Sequence, residues 1–319
     1  MLVSNNSTLN ILLANNSSQL KELLSQTNIN NISNMIDLDS ENFSSLKDIS
    51  KLLKELINSI KDGSKSNINL ENLFKNSDIF KNLGTLASNL SQLLKMLDEN
   101  ENLSNLKISF EPFLKTLKDI NSLNIKDMIS NSGIFLENKL LNSSKFNLDF
   151  DLKANLLKIQ EFFINKNDAN SNENLKVINN LLSQIELSQI ASIALNSNFI
   201  VIPFLWDLLE DGFIQMKQKE ENKFFCQINL NLKEFGKLEL MLFLYEKNRL
   251  DITIYAENKD SKSLIRKNIS KLKEAFKNID LVPINIKILD LKIKSDNIFK
   301  NFENIESEFT LSNKINIRV

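Results

Sequence analysis

The side chains on which most enzymes rely are scarce in this chain, and those present are not spaced for catalysis. None of its 319 residues is histidine, which excludes histidine-dependent triads, imidazole metal sites and histidine pH switches together. The single cysteine, Cys226, rules out an intramolecular disulfide framework and a cysteine-based zinc site. It falls in the apolar phase of a strand pattern and reads as a small buried hydrophobe, not a nucleophile. Asp207, Glu210 and Asp211 cluster beside the only tryptophan, Trp206, but with no nucleophile in sight a solvated acidic turn accounts for them. The glycines are scattered singly, so there is no phosphate-cradling loop. Carboxylates show no EF-hand spacing. These observations point to a non-enzymatic protein with no cofactor and no metal.

The strongest charge feature is the segment 259–278. Lys259, Lys262, Arg266, Lys267, Lys271, Lys273 and Lys277 outnumber Asp260 and Glu274 there. A nucleic-acid interface would need this face to meet phosphates. Against it stand a net charge of −1, from 39 basic and 40 acidic residues, and the lack of an aromatic base-stacking motif. A solvated outer face is the plainer reading, and docking to an acidic partner is a third. The N-terminus lacks the basic segment and apolar core of a secretory signal. The longest apolar run, from Phe199 to Trp206, is too short to span a bilayer. A soluble, cytoplasmic chain without membrane insertion is expected.

The elements that must position any site fall on either side of a compositional seam near Asn196. With only 5 glycines and 3 prolines, the chain favours long helices. Residues 1–40 read as a loosely ordered arm, 41–195 as a helical region, 196–292 as a small α/β domain and 293–319 as a peripheral tail. Leu46, Ile49, Leu52, Leu53, Leu56, Ile57 and Ile60 share one helical face, which Gly63 ends. Further helices are expected over 70–97, 110–120, 152–164 and 174–195. Strands are expected at 213–219, 224–232, 238–245 and 250–255. The run 238–245 is apolar almost throughout, as suits a strand covered on both sides. A helix over 261–278, capped by Asp260 or Ser261, should bury Leu264, Ile265, Ile269, Leu272, Ala275, Phe276 and Ile279. Pro283 then opens a last strand to Leu289. The predicted class is α+β, a mostly helical region followed by a β-β-β-β-α-β domain.

The stretch from Phe225 to Leu291 resembles the C-terminal domain of the flagellar hook-length control protein family (FliK). The family's strand, Leu-x-Pro-x-x-Leu-Gly turn and second strand resemble Leu230-Asn231-Leu232-Lys233-Glu234-Phe235-Gly236 and Lys237–Leu240 here. Its third strand, ending in Ala-Glu-Asn, resembles Leu250–Ala256-Glu257-Asn258, and its helix matches Leu264, Arg266, Asn268, Ile269, Leu272 and Phe276. Leu232 stands where the family usually has Pro, Phe235 where it has Leu, and Asp280 where Gly is common. Asp tolerates a left-handed turn better than most residues. The Pro-rich linker of the family is replaced by a helical region. The resemblance implies a regulator of type III export that binds the cytoplasmic domain of the export-gate protein (FlhB) or a paralogue, and that is cytoplasmic or itself exported. It marks Leu238, Leu240, Ile252 and Ile254 as core and Gly236, Ala256, Glu257 and Asn258 as shape-determining, with Arg266 and Lys267 as candidate partner contacts.

Overall fold

A computed structural model describes residues 85–291, apart from 115–121, 137–138, 140–147, 167–168, 195–196, 203–204 and 207. The expected arm 1–40, the helix ending at Gly63, the stretch 70–84 and the tail 293–319 lie outside the described residues. Helix α1 (Leu86–Asp98) starts where the Thr85 hydroxyl accepts the Ser88 N–H at 3.1 Å, and buries Leu86, Leu90, Leu93 and Leu97 at helical spacing. A 3-10 helix over Ser104–Leu114 stands where an α-helix was expected from 110, and α2 covers Ser122–Ser130. Pro112 removes a backbone donor inside that segment. Helix α3 (Leu152–Lys166) is capped by Asp151, whose carboxylate accepts the Ala154 N–H at 3.1 Å. Helix α4 (Ala169–Ala194) begins five residues before the expected start at 174.

Six strands follow: β1 (Asn198–Val201), β2 (Leu209–Glu220), β3 (Lys223–Leu232), β4 (Gly236–Tyr245), β5 (Arg249–Ala256) and β6 (Val282–Asp290). They form one sheet in sequence order, antiparallel up to β5, with β6 parallel to β5. A parallel pair needs a crossover. It is supplied by α5 (Lys259–Lys267) and α6 (Ile269–Lys277). The joint between helices and sheet is polar: Ser192 near the end of α4 accepts the Phe199 N–H at 2.8 Å and donates to Ser188 O at 2.7 Å. A short hydroxyl there lets β1 run close against α4.

One hydrophobic core crosses the seam at residue 196. Leu90, Leu93, Phe113, Leu156 and Leu182 pack with Ile202, Leu209 and Ile214, and half-buried Met216, Cys226, Ile228 and Leu230 join them. Helices α1, α3 and α4 therefore cover the β2–β3 end of one sheet face. A second cluster covers the β4–β5 end of that face, where Leu250, Ile252 and Ile254 meet Leu240, Leu242, Ile265, Leu272 and Phe276. The opposite face carries Phe225, Gln227, Glu239, Met241, Asp251 and Thr253, all buried. Strand β4 is thus shielded on both sides, as its apolar run suggested.

Candidate functional site

The turn between β3 and β4 and the step from β5 into α5 meet at one place. Gly236 has φ +69, a left-handed conformation open to glycine at little cost. A Cβ there would lie 2.7 Å from a Glu257 carboxylate oxygen and 2.8 Å from Asn258 Nδ2. The same Glu257 carboxylate accepts the Lys237 N–H at 2.8 Å, while the Glu257 N–H donates to Lys237 O at 3.0 Å. Ser261 Oγ donates to Phe235 O at 2.7 Å. Ala256 is fully buried, and its carbonyl accepts the Leu291 N–H at 3.0 Å, which ties in the end of β6. The structure therefore brings Gly236, Ala256, Glu257 and Asn258 together, although they come from segments some 20 residues apart.

The cap of α5 differs from expectation. Asn258, in extended conformation, is the N-cap, and neither Asp260 nor Ser261 serves there. The Ser261 hydroxyl is committed to the β3–β4 turn, so the helix starts earlier. The single helix expected over 261–278 is two. Asn268 adopts φ −106 and ψ 12, and its Nδ2 donates to Leu264 O at 2.9 Å, competing with the backbone ladder. The break changes the buried phase. Ile265, Leu272 and Phe276 face the sheet, but Leu264, Ala275 and Ile279, expected in the core, are exposed.

Of the expected core residues, Ile252 and Ile254 are buried, while Leu238 and Leu240 are half-buried beside them. Leu240 pairs with Ile254 and Leu238 with Ala256 across β4 and β5. Arg266 and Lys267 point to solvent, as do Lys259, Lys271, Lys273 and Lys277. Lys262 does not belong to that basic surface: it is buried and ion-paired with Asp290, fastening α5 to the end of β6.

Beside this basic surface lies an apolar one that the sequence pattern did not reveal. Strand β6 forms the outer edge of the sheet among the described residues, with Val282, Ile284 and Leu289 exposed. Leu264 and Ile279 on the helices are exposed as well. Edge strands offer unpaired backbone groups that another chain can extend. Pro283 is the second residue of β6, next to the register shift between Leu250 and Asp251, a position that suits an edge strand. Asp280 takes φ +59 in the turn before β6, the left-handed conformation its type tolerates.

The other chemistry-bearing residues are structural. Burial pushes the Cys226 thiol up to about 12, which leaves no thiolate at neutral pH. Asn231 Nδ2 bridges the acidic pair, donating to Glu210 at 2.9 Å and Asp211 at 3.5 Å; burial raises Asp211 above the usual carboxylate range. Asp207 lies outside the described residues. Glu239, on the face away from the helices, accepts Gln227 Nε2–H at 3.0 Å and is pushed up to about 7 by burial. Glu239 is opposite in phase to Leu238 and Leu240 along β4, and that phase is buried too, with Met241 beside it.

No group of candidate metal-ligating side chains occurs among the described residues, and no described helix is long and apolar enough to cross a membrane. Residues 214–291 match the family model described as flagellar hook-length control protein FliK. No curated protein and no solved structure matches the chain. The matched segment runs from the middle of β2 to the residue after β6, and so holds the Gly236–Glu257 junction, both crossover helices and the open edge.

Proposed function

We propose that this chain, which carries a hook-length control domain of the FliK family over residues 214–291, regulates substrate class in flagellar type III export without catalysing a reaction. The domain acts by binding, and its partner is the cytoplasmic domain of the export-gate protein FlhB or a paralogue. The match over 214–291 is the observation that carries this reading. The surface chemistry supports it. Exposed Val282, Ile284 and Leu289 lie on an edge strand, beside crossover helices whose outer side carries Arg266, Lys267 and Lys271. Exposed apolar side chains on an edge strand, together with exposed cations, suit a protein-binding surface.

The partner would meet β6 and α5–α6, with Gly236, Ala256, Glu257 and Asn258 holding the turn that sets their orientation. Leu238, Leu240, Ile252 and Ile254 supply the core on which α5 and α6 sit. Binding of the full chain to the purified gate domain, read by titration calorimetry, tests the reading. Ile284→Asp with Leu289→Asp should weaken binding at least tenfold and leave the thermal midpoint within a few degrees, because both side chains are exposed. Undiminished binding would remove this surface from the account, and no binding by the unaltered chain would remove the partner.

A further inference from the structure

The sheet closes one of its edges and leaves the other open. At the first edge β1 has four residues, with Phe199 1 % and Ile200 2 % exposed. It is short and covered, which keeps other chains from pairing with it. At the second edge β6 runs for nine residues, and no described strand pairs with its outer side. Features that blunt an edge stand only at its ends: Pro283 and the register shift at the start, the Lys262–Asp290 ion pair at the finish. Between them, Ile284–Leu289 carries one charge, Lys287. The direction of the backbone groups follows from the pairing. The Leu291 N–H donates to Ala256 O at 3.0 Å, and the register with β5 is unbroken from Asn285 to Asp290. Alternation then turns the N–H and C=O of Asn285, Lys287 and Leu289 to β5, and those of Ile286 and Ile288 to the open edge.

Charge selects the occupant. Both crossover helices pack on β6. From Lys259 to Asp290 the chain holds 8 basic and 4 acidic residues, within a protein of net charge −1. Arg266, Lys267, Lys271, Lys273, Lys277 and Lys287 are all exposed. A second copy joined antiparallel through β6 would be related by a twofold axis normal to the sheet. Both basic crossovers would then lie on the same side of the joined sheet, a juxtaposition of like charge that opposes pairing. An acidic strand meets no such repulsion. We propose that β6 takes up an extended acidic segment of a partner protein as a seventh strand. The segment's backbone bonds to the outward groups of Ile286 and Ile288, and its carboxylates lie in the field of α5, α6 and Lys287. The inference rests on the reading of β6 and α5–α6 as the partner surface, and adds the form and the charge that the partner must present there.

The test mixes the full chain with a synthetic peptide as long as β6 that alternates Glu and Val, with its Lys-and-Val counterpart, and with the purified gate domain. Residue-resolved amide exchange is the readout. The Glu peptide should slow exchange at Ile286 and Ile288 at least tenfold, and the Lys peptide should not. Ile288→Pro removes an outward N–H and no bond to β5, so it should abolish the effect, while Ile288→Val keeps it. Absent protection, or equal protection by the two peptides, overturns the proposal. So does protection that rises with the concentration of the chain alone, which means a second copy, or stronger protection by single-stranded RNA. Binding of the gate domain without protection of these two amides defeats strand addition and spares the functional reading. Protection by the Glu peptide without binding of the gate domain defeats that partner and upholds strand addition.

Discussion

Replacing Gly236 by alanine should destabilise the domain by an amount the structure allows to be built from parts. A non-glycine residue held at φ +69 costs about 1–2 kcal/mol. The new methyl would sit 2.7 Å from the Glu257 carboxylate. That oxygen ends a flexible side chain and can retreat, but in doing so it releases the 2.8 Å bond from the Lys237 N–H, worth about 0.5–1.5 kcal/mol. Alanine also narrows the unfolded ensemble, which returns about 0.4–1 kcal/mol. The net cost is about 1–2 kcal/mol, a fall of about 0.5–1 M in the urea midpoint at an ordinary slope. Trp206 fluorescence and far-UV circular dichroism on the full chain would read it. In a Glu257→Ala background the carboxylate is gone, so Gly236→Ala should cost about 1 kcal/mol less than in the unaltered chain. A cost below about 0.5 kcal/mol, or full additivity of the two changes, would refute the reasoning.

Three further outcomes follow from the same structure. Glu239 has its carboxyl raised from 4.5 to about 7; the unfolded chain loses this proton first, so stability falls as pH rises between those values and stays low above them. Glu239→Gln should therefore leave stability little changed at pH 4 and raise it by about 3 kcal/mol at pH 8.5; urea midpoints that differ by the same amount at both pH values would contradict this. Lys139 and Asp151 form a buried ion pair at 2.9 Å, 5 % and 0 % exposed, so Lys139→Met should cost about 3–5 kcal/mol in chemical denaturation, and a cost under about 1 kcal/mol would be inconsistent. The exposed cations of α5 and α6 support a second reading, nucleic-acid binding. Reversing Arg266, Lys267 and Lys271 should then abolish a salt-sensitive shift of labelled RNA or DNA, and absence of any shift at low salt removes that reading.

Strands β3 and β5 were legible because period-2 alternation survives wherever one face is packed against helices: Cys226, Ile228 and Leu230, or Leu250, Ile252 and Ile254; β4 was legible as a nearly continuous apolar run. Helix α3 was legible for the corresponding reason at period 3.6. The helix break at Asn268 was not, because it depends on a side-chain bond to Leu264 O that no spacing encodes. Leu264 and Ile279 were consequently assigned to a core that they do not enter. The alternation of Ile284, Ile286 and Ile288 in β6 looks the same for a central strand as for an edge strand. Only the pairing order shows that β6 is at the edge. Gly236 and the Ala256-Glu257-Asn258 step were each visible, but the Glu257 bond that joins them comes from the fold. Burial of Gln227 was hidden for the opposite reason: polar residues in the alternate phase of a strand ordinarily mark its wet side.

The central claim is that residues 214–291 act on flagellar export. Its most direct test is the hook-length distribution, measured by electron microscopy, in source cells whose chromosomal copy lacks 214–291. The account predicts elongated hooks without filaments, restored by the full chain and not by the Ile284→Asp, Leu289→Asp variant. Hooks of normal length carrying normal filaments would contradict it.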